Sequence, residues 1–338
     1  MIIVLKKGVS EQEIEAVKAA IIAAGLQPHV SKGTERTIIG AIGDERKLNA
    51  DRIASLPGVE KVMPILKPYK LASREFHPEN TVIDVDGVKI GGREVIMIAG
   101  PCAIESEEQL FTTAEAVKKS GAKILRASAY KPRTSPYDFQ GMGEKGLKLL
   151  KKAKKELGMV VETEVMDTRQ VELVAKHVDI LRVGARNMQN FDLLKEVGKV
   201  NKPVILKNGI ASTMKEFLMA AEYIMSEGNQ QVILCNRGVR TFEQEFRFPL
   251  NVGLVPLLKK ESHLPVIVDP THSMGRPDLI PPISKASVAA GADGWIVEVH
   301  CDPKSALCDG PQAMTPALFD QMMKELRPVA RAVGREMP

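Results

Sequence analysis

This 338-residue chain lacks most of the features that mark specialised protein classes. Its four cysteines, Cys102, Cys235, Cys301 and Cys308, form no CxxC pair and are too scattered for a disulfide framework or a zinc ribbon. Aromatic residues make up 4% of the chain, so the aromatic-basic interleave of a single-stranded nucleic-acid platform is missing. No apolar run approaches the roughly 20 residues that span a bilayer. The opening MIIVLKKGVS is apolar over too few residues for a signal-peptide core, and it reads as a first strand of a cytoplasmic protein with no membrane partner. No GxGxxG turn follows an early strand, which weighs against a dinucleotide-binding open sheet. The net charge of +5 is spread along the chain, and its densest cluster, KKAKKELG at 151–158, reads as a solvated helix face, so no nucleic-acid partner is expected.

With 44% hydrophobic and 26% charged residues, the chain has the balance of a globular protein with room for a large domain and a small one. Residues 1–65 read as strand, helix, strand, strand, helix, strand. Ser10 with Glu13 suggests a capping box, and Ile14, Val17, Ile21 and Ile22 follow at helical spacing. RTIIGAIGD and PGVEKVMPI are strand-like around the short helix KLNADRIASL. This βαββαβ order predicts a ferredoxin-like domain. Residues 66–80 carry no clear period and read as a linker.

Residues 81–338 read as a catalytic barrel preceded by a β-hairpin around Asp86-Gly87. Eight short apolar runs follow: VIMIAG, ILRAS, VVETEV, ILRVGA, PVILKNG, QVILCNRG, PVIVDPTH and WIVEVH. Helical segments lie between them. The fold class is therefore α/β, a (β/α)₈ TIM barrel with a small N-terminal ferredoxin-like domain. In such a barrel the chemistry sits just past the C-terminal ends of the strands, where this sequence places Cys102, Arg126, Lys131, Glu162, Glu164, Arg186, Lys207, Arg237, Asp269, His272, Glu298 and Asp309.

Two constellations stand out. Arg126, Lys131, Arg186, Lys207 and Arg237 exceed what one phosphate needs and suit a substrate bearing phosphate and carboxylate, or two phosphorylated substrates. Cys102, His272, Glu298 and Asp309 offer a thiolate, an imidazole and two carboxylates, a set open to a divalent metal ion such as manganese, iron, cobalt or zinc. On the residues alone, a buried structural Cys102, a capping His272 and acids that merely pair with the cations remain open alternatives.

The motifs AGPCAIES, LRASAYKPRTSPYDFQG, VVETEVMD, VGARNMQN, ILKNG, CNRG, VDPTHSMG, VEVH and ALCDGPQ resemble those of the 3-deoxy-D-arabino-heptulosonate 7-phosphate (DAHP) synthases over about residues 92–330. The N-terminal part resembles the ferredoxin-like, ACT-type regulatory domain of one branch. The resemblance implies condensation of phosphoenolpyruvate with erythrose 4-phosphate and water, the first step of the shikimate pathway. It implies that Arg126, Lys131, Arg186, Lys207 and Arg237 hold phosphoenolpyruvate and that Arg133 and Thr134 meet the aldose phosphate. Cys102, His272, Glu298 and Asp309 match the family's metal ligands, Lys131 is placed for proton transfer, and Glu162 to position or activate water. Where a small hydroxyl residue is expected, this chain has Cys308, which reads as a tolerated replacement, a further ligand or an oxidation partner of Cys102.

A regulatory domain on a first pathway enzyme implies feedback inhibition by an aromatic amino acid, tyrosine or phenylalanine, bound near a loop LQPHVSKG through His29 and Ser31, in a homo-oligomer expected to be a tetramer. The nearest rival is a 3-deoxy-octulosonate 8-phosphate synthase, for which a KANRS-like run is expected in place of KPRTS. A vestigial barrel serving as an amino-acid sensor is a rival of a different class, and the intact charged set argues against it.

Overall fold

The computed structural model describes residues 1–33, 36–64 and 68–337, which divide into two compact units, Met1–Pro68 and Tyr69–Pro338. In the first unit, β1 (Ile2–Leu5), α1 (Glu11–Ala23), β2 (Gln27–Lys32), β3 (Thr37–Ile42), α2 (Ala50–Ala54) and β4 (Val59–Met63) follow the βαββαβ order. The antiparallel sheet runs β2-β3-β1-β4, the ferredoxin-like arrangement. The expected capping box starts α1: Ser10 Oγ accepts from the Glu13 N–H, and the Glu13 carboxylate accepts from the Ser10 N–H at 2.8 Å. Ile14, Val17 and Ile21 then face Ile3, Leu5, Ile39 and Ala41 of the sheet, whereas Ile22 is 58% exposed.

One expectation here needs correction. LQPHVSKG is not a loop: its residues 27–32 are strand β2, at the edge of the sheet, with His29 opposite Gly40 and Ser31 opposite Ile38. Directly opposed residues share a face, so His29 and Ser31 lie on the same exposed side as Ile38 and Ile42, away from the buried Ile39 and Ala41.

A second correction concerns the linker. Residues 66 and 67 lie outside the described residues, but from Tyr69 onward the segment packs as part of the barrel unit. Tyr69 and Ala72 are buried, and Ser73 forms an isolated β-bridge with Ser262. Polar side chains secure the aperiodic backbone: the Glu222 carboxylate accepts from the N–H groups of Leu71 and Ala72, both at 2.9 Å, and the Arg74 guanidinium donates to the carbonyls of Lys259, Ser262 and Pro78.

The hairpin β5 (Ile83–Val85) and β6 (Val88–Ile90) turns through Asp86 and Gly87, both at positive φ, as an Asp-Gly turn requires. Beyond it come β7 (Ile96–Gly100), α3 (Glu107–Lys119), β8 (Ile124–Arg126), α4 (Glu144–Leu157), β9 (Val160–Val165), α5 (Val171–Ala175), β10 (Ile180–Val183), α6 (Phe191–Lys199) and β11 (Val204–Lys207). The chain continues through α7 (Met214–Ser226), β12 (Val232–Asn236), α8 (Leu254–Glu261), β13 (Val266–Val268), α9 (Pro270–Met274), α10 (Ile280–Ala289), β14 (Gly294–Glu298) and α11 (Pro316–Ala332). Strands β7 to β14 pair in parallel and close into one barrel, on the eight runs expected.

Two apolar layers result. Leu125, Val161, Leu181, Leu206, Leu234 and Val297 join the main core with helix residues such as Phe217 and Phe319. The other layer is mostly isoleucine, Ile98, Ile124, Ile180, Ile205, Ile233, Ile267 and Ile296, and it joins Ile83, Val85 and Ile90 of the hairpin. The hairpin thus plugs the N-terminal end of the barrel. Among the described residues no helix is long and apolar enough to cross a membrane.

The single Trp, Trp295 on β14, is fully buried in the barrel, so its fluorescence reports on that unit. Truncating the buried Phe217 of α7 leaves a cavity, and Phe217→Ala is expected to cost about 3–5 kcal/mol in a urea titration followed by that fluorescence.

Candidate active site

Side chains in a strand alternate sides, so the inward position two residues beyond each interior isoleucine is also inward. Here the interior changes character. Ile124 is followed by Arg126, Val160 by Glu162 and Glu164, Ile180 by Arg182, Ile205 by Lys207, Ile267 by Asp269, and Ile296 by Glu298. All seven polar members are buried. The apolar, hairpin-plugged end therefore gives way to a charged C-terminal end.

The charges pair. Arg182 donates to Glu162 Oε2 at 2.9 Å, Glu164 Oε2 at 3.0 Å and Ser128 Oγ at 2.9 Å. Lys207 pairs with Asp269, and Arg126 Nη2 stands 3.0 Å from Glu298 Oε1. Burial disfavours the charged forms of Glu164 and Asp269, but facing groups outweigh it and hold both carboxyls below their ordinary range: Arg182, Lys131 and Lys207 at Glu164, and at Asp269 His272, whose backbone N–H also donates to it, with Lys207. Burial likewise opposes the charge on Lys131, yet Cys102 and Glu164 keep that ammonium above its usual value. Gly184 is required beside this network, because a Cβ there would fall 2.0 Å from Glu164 Oε1.

Above it opens a cavity of about 340 Å³. Of the residues expected to bind substrate, Lys131, Arg133, Thr134, Arg186, Lys207 and Arg237 line it, and His272 and Asp309 join them. Arg126 and Glu162 do not line it, since both are fully buried. Arg126 nevertheless keeps Nε, Nη1 and Nη2 without hydrogen-bond partners among the described residues. Glu162 accepts from Arg182 through Oε2, while its buried Oε1 has no hydrogen bond among the described residues. Arg237 stacks on Phe248 at 4.0 Å from the ring centroid, and burial pulls its pKa down to about 10.

The cavity wall also holds Arg182, Arg240 and Arg247, which sequence reasoning missed. Arg182 lies inside a strand rather than past its end, and its signal was a charge at an inward position directly opposite Glu164 of β9. Arg240 and Arg247 lie between β12 and α8, where no period gives their direction.

The expected metal ligands come together in two overlapping groups, Cys102 with Cys308 and Asp309, and His272 with Glu298 and Asp309, the ligand atoms of each lying within 4.8 Å of one another. Cys102 Sγ is 3.3 Å from Asp309 Oδ2 and 3.2 Å from Cys308 Sγ, so Cys308 belongs to the cluster. His272 Nε2 is 3.4 Å from Glu298 Oε1, a buried oxygen with no hydrogen bond among the described residues despite Arg126 nearby. An orphaned carboxylate oxygen facing an imidazole, beside a thiol and a second carboxylate, fits a divalent cation.

Comparison with known proteins accords with this geometry. Residues 77–332 match the model of the DAHP synthetase I family, and residues 1–67 match the DAHP synthase ferredoxin-like domain. The chain belongs to the DAHP synthetase I family. It is 52% identical over 334 residues to a phospho-2-dehydro-3-deoxyheptonate aldolase of Thermotoga maritima, covering 99% of each chain. The crystal structure of that T. maritima enzyme, a DAHP synthase, matches with a TM-score of 0.97 at 50% identity, over 100% of this chain and 99% of the other. A 2-dehydro-3-deoxyphosphooctonate aldolase of Geobacter sulfurreducens is 34% identical over 268 residues, 73% of this chain and 97% of its own. Membership makes the chain an enzyme, a transferase-type aldolase with a ferredoxin-like domain at its N-terminus.

Removing one partner of the buried network strands the others. Arg182→Met leaves Glu162 and Glu164 uncompensated and is expected to cost about 3–5 kcal/mol, read from the urea midpoint. The triple change with Glu162→Gln and Glu164→Gln is expected to recover part of that loss.

Proposed function

We propose that this enzyme condenses phosphoenolpyruvate with erythrose 4-phosphate and water, giving DAHP and inorganic phosphate, the first step of the shikimate pathway. The observation that carries the reading is the basic cavity set directly over the Cys102, His272, Glu298 and Asp309 cluster. Two phosphorylated reactants need two anion sites within reach of one reacting centre. Lys131, Arg186, Lys207 and Arg237 hold the phosphate and carboxylate of phosphoenolpyruvate, and Arg126, buried beneath them beside Glu298, adds positive charge to that end of the barrel. Arg133 and Thr134, on the loop after β8, receive the aldose phosphate.

Cys102, His272, Glu298 and Asp309 hold a divalent ion, which when bound supplies a Lewis acid for the aldehyde oxygen. The methylene carbon of phosphoenolpyruvate bonds to the aldehyde carbon, water adds to the neighbouring vinyl carbon, and the C–O bond to phosphate breaks. The cations around the cavity stabilise the departing phosphate. Lys131, protonated and buried at the cavity wall, delivers a proton to the developing alkoxide. The rival octulosonate reaction is supported by the G. sulfurreducens relative, but the ferredoxin-like domain and the full-length T. maritima match favour the seven-carbon product.

The effector reading follows β2. His29 and Ser31 share an exposed sheet face with Ile38 and Ile42, a polar and apolar mixture suited to an aromatic amino acid, tyrosine or phenylalanine, between domains of a homo-oligomer, with a tetramer proposed.

Phosphate release is expected with erythrose 4-phosphate and to be far slower with arabinose 5-phosphate. Chelator or Cys102→Ala is expected to abolish turnover. The opposite aldose preference, or full turnover in chelator, would contradict the assignment. Deleting residues 1–68 is expected to leave catalysis and remove inhibition by tyrosine or phenylalanine. The division of the chain into two compact units, Met1–Pro68 and Tyr69–Pro338, supports folding of the barrel without that domain. Inhibition that survives the deletion would place the effector elsewhere.

A further inference from the structure

Gln312 closes the short turn Gly310–Gln312 that follows Asp309, and its side chain is buried. Its amide bridges two charged groups: Nε2 donates to Glu298 Oε2 at 2.7 Å, and Oε1 accepts from Arg247 Nη1 at 2.6 Å. Arg247 comes from a different part of the chain, between β12 and α8, and lines the anion cavity. The orientation of the amide is dictated by its neighbours. A guanidinium offers only donors and a carboxylate only acceptors, so a flipped amide would set donor against donor and acceptor against acceptor.

The consequence falls on Glu298. Its Oε2 is taken by the amide, while Oε1 has no hydrogen bond among the described residues and faces His272 Nε2. We propose that Gln312 is a positioning residue that presents Glu298 to a divalent ion through Oε1 alone, and that Arg247 fixes the amide in the orientation that does so. The inference rests on the reading of Cys102, His272, Glu298 and Asp309 as metal ligands. It also joins the anion cavity to the metal cluster by two hydrogen bonds in series. Groups that orient a ligand in this way typically control about 10–100-fold in metal affinity.

The test is chelator-competition titration of the full-length protein with cobalt(II), reading both the dissociation constant and the visible spectrum of the bound ion. Gln312→Leu is expected to raise the constant by about 10–100-fold and to alter the spectrum, because the freed Oε2 lets Glu298 bind through both oxygens. Arg247→Met, at an exposed position that touches no ligand directly, is expected to raise it by a smaller factor. The double variant is expected to be no weaker than Gln312→Leu alone, since Arg247 acts through the amide. Trp295 fluorescence confirms a folded barrel in each variant. An unchanged constant and spectrum in either single variant overturns the proposal, as does a double variant with fully additive losses. Wild-type protein that binds no cobalt(II), or Cys102→Ala that binds it equally well, overturns the metal reading itself, and this proposal with it.

Discussion

Closing eight parallel strands into a ring is the constraint from which the rest of this molecule follows. A closed ring has no free edge, so its backbone groups are satisfied all the way round and only its two ends communicate with anything else. One end is filled by Ile83, Val85 and Ile90 of the hairpin against the interior isoleucines. Polar side chains directed into the barrel therefore collect at the other end, where the cavity opens.

Such a concentration of charge under low dielectric is costly unless it is arranged in opposites. The interior meets this by pairing opposite charges: Arg126 beside Glu298, Arg182 between Glu162 and Glu164, Lys207 against Asp269. The deep layer is close to self-neutralising. The positive excess is displaced upward to Arg133, Arg186, Arg240 and Arg247, which stand on loops beside the cavity. Rigid paired charges below and basic loops above divide the labour between holding the reacting centre and admitting an anion.

How legible all this was depended on whether a residue's direction was set by a period. The eight barrel strands were legible because both faces are buried, which leaves continuous β-branched runs, and the hairpin announced itself through Asp86-Gly87. Strand β2 was obscure because it is an edge strand: Gln27, His29 and Ser31 are exposed and Pro28 interrupts the run, so no apolar alternation survives. Residues 69–80 were obscure for another reason, since their order comes from Glu222 and Arg74 bonding to backbone, an arrangement that needs no hydrophobic pattern. In the site, a search just past strand ends found Lys131 and Arg186 but passed over Arg182, one inward step beyond Ile180. Gln312 ends the motif ALCDGPQ, but it is uncharged and lies in a short turn, where no period shows that its amide is buried against Glu298.

Asp309 shows how two unrelated demands can converge on one position. Its backbone sits at φ 53° and ψ 25°, the left-handed region that glycine, asparagine and aspartate tolerate best. Its side chain stands where both groups of candidate ligands overlap, a place that asks for an anionic oxygen. Glycine meets only the first demand, asparagine supplies a neutral oxygen, and glutamate meets the second on a backbone it disfavours. Aspartate meets both demands at once, so a single residue settles the turn of the backbone and the overlap of the two ligand groups.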